Sequence, residues 1–207
     1  EVEAHLALGY PAYWLAFDTE THARHARLVR QATLDGAHLA VDTRVDPGRA
    51  VTEVTVYATD HPGLFSRIAG AMAATGADVV DARIFTLSNG MALDTFLIQD
   101  EGGEPFDRAD RIAKLASAIE RALGGTLRVD KALEARRPTL GRRQRALKIP
   151  PRVLIDNKAS VTHTVVEVNG RDEPGVLWRM TRALAGVGVQ IHSASISTYG
   201  ERFVDVF

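Results

Sequence analysis

The sequence predicts an α+β protein: two ferredoxin-like domains of ββαββα order, each an antiparallel four-stranded sheet with helices on one face, preceded by a helical segment. Three observations predict it. Runs of alternating β-branched residues recur in pairs around Ala-rich runs of helical spacing. The loop Asp60-His61-Pro62-Gly63-Leu64-Phe65 joins such a strand to such a helix, and Asp172-Glu173-Pro174-Gly175-Val176-Leu177 does so again. The 112-residue offset from Asp60 to Asp172 also superimposes Val54 on Val166, Arg67 on Arg179, Ala71 on Ala183 and Gly76 on Gly188. A duplicated domain is the economical explanation.

Residues 1–36 read as a helical segment. Tyr10, Tyr13, Trp14 and Phe17 precede Asp18, an N-cap for a helix over about 19–33 that Asp35-Gly36 closes. His22 and His25 stand three apart on it, a spacing that can share a metal but has no third ligand nearby. The first domain is expected over 37–127. It has strands from His38 and through Val54, Val56 and Ala58, a helix carrying Leu64, Ile68, Ala71 and Met72, and strands at 79–87 and 91–99. Asn89-Gly90 supplies the hairpin signal between that last pair. Asp107 is expected to cap a helix with Ile112, Leu115, Ile119 and Leu123 at helical spacing.

A basic linker is expected over 128–151, where Arg136, Arg137, Arg142, Arg143, Arg145 and Lys148 run among prolines without an acid. The second domain, over 152–207, repeats strand, strand, helix, strand, strand and lacks its last helix. Because the chain begins at Glu1 and stops at Phe207 in a strand-like run, it is expected to be a piece of something longer.

Composition narrows the function. With 25 basic and 26 acidic residues, no whole-chain field points to nucleic acid or a membrane. There is no cysteine, which excludes disulfides, thiolate catalysis and thiolate metal sites. The apolar runs fall far short of the roughly 18 residues that cross a bilayer, so a cytoplasmic protein is the default expectation. An RNA-binding sheet of this architecture needs exposed aromatics on its central strands, which Met91-Ala92-Leu93-Asp94 does not supply.

The two loops carry the chemistry. Pro62 or Pro174 at a first helical position forfeits no hydrogen bond, and Gly63 or Gly175 lets a ligand approach the backbone. A helix start then offers free N–H groups and positive dipole to a carboxylate. The plain alternative is that Asp60 and Asp172 only cap their helices.

These loops resemble the ligand loop of ACT domains, small amino-acid-sensing regulatory modules. Ala82-Arg83-Ile84-Phe85-Thr86, Asn89-Gly90-Met91-Ala92-Leu93-Asp94-Thr95-Phe96 and Ser193 to Arg202 resemble the tandem ACT tail of the bacterial protein-PII uridylyltransferase/uridylyl-removing family. Tyr13-Trp14-Leu15-Ala16-Phe17 through His25-Ala26-Arg27 is similar to the segment joining that family's HD-type hydrolase domain to its ACT pair. The resemblance implies a glutamine sensor: glutamine favours removal of uridylyl groups from PII, and low glutamine favours their addition from UTP.

No catalytic residue is expected in this segment, since neither a Gly-Ser-x-Asp-x-Asp signature nor a His-Asp dipeptide occurs. Magnesium and UTP would belong to nucleotidyltransferase and HD domains outside it. The effector site is expected from Asp60 and Asp172 as ammonium partners, Gly63 and Gly175 for close approach, and the amides of Leu64, Phe65, Val176 and Leu177 toward the carboxylate. ACT effectors commonly bind between paired domains, opposite the start of the second strand, which is Asp78 here and Gln190 in the repeat. Many ACT domains carry Asn there, so Asp78 departs from the pattern, whereas Gln190 can donate and accept. The pair can form within one chain or between two chains as an ACT-mediated dimer. His61 and Glu173 differ between the loops, and if one loop alone binds, the first is favoured because its domain is complete in sequence.

Overall fold

A computed structural model describes residues 2–135 and 149–207. Its elements are α1 (Val2–Leu6), α2 (Pro11–Ala16), α3 (Thr19–Leu34), β1 (Leu39–Asp46), β2 (Val51–Thr59), α4 (Leu64–Thr75), β3 (Asp78–Arg83), β4 (Met91–Gln99), α5 (Ala109–Leu123), α6 (Val129–Ala135), β5 (Arg152–Asp156), β6 (Val165–Arg171), α7 (Val176–Gly186), β7 (Ser195–Tyr199) and β8 (Arg202–Val206). The strands form one eight-stranded antiparallel sheet in the order β1-β2-β4-β3-β7-β8-β6-β5. Each half has ferredoxin-like order, compatible with two tandem ACT domains. The halves join within one chain by antiparallel pairing of β3 with β7, where Arg83 lies opposite Ser195. These two residues are themselves 112 apart, so a pseudo-two-fold axis passes through their pairing.

Alternation in β2 explains its central place. Val54, Val56 and Ala58 point to the helix layer, while Tyr57 points to the other face, and all four are buried. The helix-side core collects Ile68 and Met72 of α4, Leu115 and Ile119 of α5, and Leu177 and Trp178 of α7 around Phe96 and Ile98 of β4. A Cβ on Gly70 of α4 would stand 2.9 Å from Trp178 Cδ1, so the absent side chain is what lets α7 pack this closely.

The opposite face of the first half is covered by the helical segment. Tyr13 and Val29 pack there on Tyr57, Phe85 and Leu93. Tyr13 is fully buried, its hydroxyl 2.8 Å from His5 Nε2 and 3.0 Å from His25 Nδ1, and His25 Nε2 lies 3.2 Å from Thr95 Oγ1 on β4. Arg24 of α3 adds ion pairs to Glu53 at 2.6 Å and Asp42 at 3.2 Å. Both ring nitrogens of His25 are therefore engaged, and it cannot share a metal with His22.

Four other expectations need correction. Pro62 and Pro174 precede the helices rather than opening them, because Gly63 and Gly175 are the N-caps, in left-handed conformation at φ +85° and +74°. Asp60 and Asp172 therefore stand too far upstream to cap. Arg108, not Asp107, precedes α5, with no side-chain cap. The strand expected over 79–87 is regular only to Arg83, although its pairing continues through the Thr86–Ala92 bridge and the Leu87 N–H to Met91 O bond, so that Ser88-Asn89-Gly90 turns the hairpin as expected.

The start of the stretch expected as linker is a helix, α6, which packs Val129 and Leu133 onto the helix layer and bonds Asp130 to Arg182 of α7 at 3.1 Å. Arg136 through Lys148 lie outside the described residues. In the second half, α7 is the one helix among the described residues, and β5 is exposed along its length. No helix among the described residues is long and apolar enough to cross a membrane.

Candidate functional site

The two loops share one backbone design. In the first, the Asp60 amide donates to Gly90 O and the Leu64 amide to His61 O at 3.0 Å; in the second, the Asp172 amide donates to Glu201 O and the Val176 amide to Glu173 O at 2.9 Å. The left-handed glycine makes each of these turns, a conformation that costs other residues more. It also uses up the Leu64 and Val176 amides, which are thus not the donors expected from sequence. The remaining first-turn donors begin at Phe65 and Leu177.

The pseudo-two-fold axis aims each loop at the other half. One cleft brings Asp60, Gly63, Leu64 and Phe65 together with Thr181 and Gln190 from across the pair, Gln190 lying in the connection after α7 and not at the strand start expected there, since β7 begins at Ser195. The other brings Asp172, Gly175, Val176 and Leu177 together with Asp78. The ten residues nominated from sequence thus fall into two reciprocal groups of five. The first cleft encloses about 20 Å³ and the recess of the second about 30 Å³, each enough for one water-sized group. The second recess also borders an outer cleft of about 510 Å³, between Gly76-Ala77-Asp78 on one side and Leu133, Asp172 to Gly175 and Gly200-Glu201 on the other.

Electrostatically both clefts are acidic. Burial, and then the charge of Asp172, pushes Asp78 up to about 6. Asp172 is itself raised, by burial and then by Glu173. Among the described residues no lysine or arginine lines either inner recess, whereas Arg171 borders the outer cleft. Asp60 is held in place by the Thr86 hydroxyl, which donates to its Oδ2 at 2.7 Å.

Two further carboxylates belong to the clefts, Asp94 on β4 in the first and Asp205 on β8 in the second. Each is 1% exposed. The signal that marks them is an acid at an inward position of an alternating strand, Ala92-x-Asp94-x-Phe96, repeated as Phe203-x-Asp205-x-Phe207. Among the described residues no group of three or more His, Cys, Asp or Glu is arranged to hold a metal.

Comparison with known proteins places this geometry. The chain is 60% identical over 208 residues to the bifunctional uridylyltransferase/uridylyl-removing enzyme of Azospirillum brasilense, 54% over 205 residues to that of Rhodospirillum rubrum and 52% over 207 residues to that of Gluconobacter oxydans. The chain is a homologous segment of this family. The alignments take in 99% to 100% of this chain and 22% of each relative, so the chain spans about a fifth of the length of the enzymes it matches. No family model and no solved structure matches it. Whatever the uridylyltransferase/uridylyl-removing relatives do with this segment, the loops, clefts and buried acids described above lie within the aligned part.

Proposed function

We propose that this chain is the regulatory glutamine-sensing ACT pair of an enzyme that uridylylates and deuridylylates the PII nitrogen-signalling protein, with catalysis carried by nucleotidyltransferase and HD domains outside it. One observation carries the proposal: the first Asp-x-Pro-Gly loop faces Gln190, ahead of β7, and the second faces Asp78 at the start of β3, so each helix N-terminus and its acid open on an interdomain cleft. An α-amino acid presents the matching charges. Its carboxylate suits the first-turn amides of α4 or α7, and its ammonium suits Asp60 or Asp172.

Both inner recesses are too small for a whole amino acid, so binding must widen a cleft or use the outer one at the second loop. A ligand that prefers the widened state biases the angle between the halves in proportion to that preference. β4 is placed to carry the change, because Asp94 lines the first cleft while the next residue, Thr95, contacts His25 of the helical segment on the other face. That face, which an RNA-binding sheet would need bare, is covered in the first half.

The test uses the intact protein with PII. Glutamine is expected to raise uridylyl removal and lower uridylyl addition, and G63L and G175L are expected to blunt that response while basal activity persists. Responses unchanged in the double variant would refute the site.

A further inference from the structure

In the first cleft, neither Oδ1 nor Oδ2 of the Asp94 carboxylate completes a hydrogen bond among the described residues, although the residue is 1% exposed and the Phe85 amide lies near enough to favour its charged form slightly. A buried acid left so is costly unless something neutralises it. Facing it are Asp60 and His61 from the loop and the uncharged Thr181 and Gln190 from the other half, with Tyr10 of the helical segment near enough to be coupled to it, its hydroxyl raised by burial first and by an ionised Asp94 second. Among the described residues no lysine or arginine lines the cleft. The space beside it, about 20 Å³, admits one group the size of water or ammonium.

We propose that Asp94 is the buried acceptor for a primary ammonium group, taken up between Asp94 and Asp60 when an amino-acid effector binds the first cleft. The assignment rests on the effector reading above and adds the residue and the proton balance. Burial and the neighbouring Asp60 raise the Asp94 carboxyl well above its ordinary value, which favours its protonated form. On binding, the incoming –NH3+ pairs with the carboxylate and the carboxyl proton passes to solvent. The second half repeats the placement with one difference: Asp205, equally buried, lines its recess with Asp172 and Asp78 and is lifted to about 7 by burial, but its Oδ1 accepts from the Ser197 N–H at 3.4 Å. An ammonium there would likewise displace a proton.

The experiment is calorimetric titration of the intact protein with glutamine, from pH 5.5 to 8, in pairs of buffers that differ in ionisation enthalpy. Wild type is expected to release protons on binding and to bind up to about tenfold tighter per pH unit as the acids ionise. D94N is expected to release fewer protons and bind at least about tenfold more weakly at pH 8, and D94N/D205N to release fewer still, the remainder coming from Asp78 and Asp172. Glutamine binding with no proton release and with D94N as tight as wild type would overturn the assignment while leaving the sensor standing. Binding of a different amino acid with proton release would keep the assignment and remove glutamine as the effector. Heat from no amino acid would overturn both. Should D94N fail to fold, the pH dependence is read in H61Q, which removes the imidazole that lines the cleft; a flat affinity there overturns the assignment.

Discussion

At the residue scale, His25 and Asp205 make opposite demands on pH. Burial holds the His25 ring down to about 3 against its ordinary 6.5, so the folded state favours the neutral ring; that stabilisation is complete above pH 6.5 and is lost as pH falls from 6.5 toward 3. Asp205 is the reverse. Its folded value of about 7 exceeds the usual 3.8, so its stabilisation is complete below 3.8 and is lost as pH rises from there to about 7. Chemical denaturation across this range should therefore show D205N losing less stability than wild type between pH 4 and 7, and H25Q losing less between pH 6.5 and 4. Y13F removes the hydroxyl between His5 and His25 and leaves both ring nitrogens buried without it, at an expected cost of about 1–3 kcal/mol. The sequence shows the aromatic group around Tyr13 but not its hydroxyl's partners, because His5 and His25 reach it from two other helices whose packing no local pattern specifies.

At the element scale, the close crossing of α4 and α7 depends on Gly70. G70A forces Trp178 or Val129, each 2.9 Å from the new Cβ, to move, and should cost about 1–3 kcal/mol in denaturation while loosening the two halves first. The capping glycines differ in surroundings. A Cβ at Gly63 meets only Ala185 Cβ at 3.8 Å, so G63A should cost about the 1–2 kcal/mol of left-handed strain alone. At Gly175 the Cβ would stand 2.8 Å from Leu133 Cδ1, so G175A should also displace α6 and cost more. Strands, loops and helices of both repeats are legible in the sequence because alternation and helical spacing are local. The helix α6 is not, since its seven residues carry little apolar pattern and it is held by Val129 and Leu133 against a core built elsewhere. The caps are misjudged for a related reason: Asp before Pro-Gly looks like an N-cap until the left-handed glycine inserts one more turn.

At the scale of the whole molecule, the joining of β3 to β7 decides which residues meet. Nothing local in either strand specifies that pairing, so the sequence nominates Asp60 with Gly63, and Asp172 with Gly175, but leaves their partners across the pair to a resemblance. The structure supplies them, Gln190 for the first loop and Asp78 for the second, and adds Asp94 and Asp205 from each loop's own half. The join itself rests on Asp81, Ala82 and Arg83 opposite Ser197, Ile196 and Ser195. A seam of three residue pairs, backed by α4 against α7, can change angle without unfolding either half. The central claim is that this seam is set by an amino acid held between the halves, and calorimetric titration of the intact protein with glutamine tests it most directly. Saturable heat at millimolar concentration or below, accompanied by a rise in melting temperature and lost in G63L/G175L, is the predicted result; no heat and no thermal shift at millimolar glutamine would contradict it.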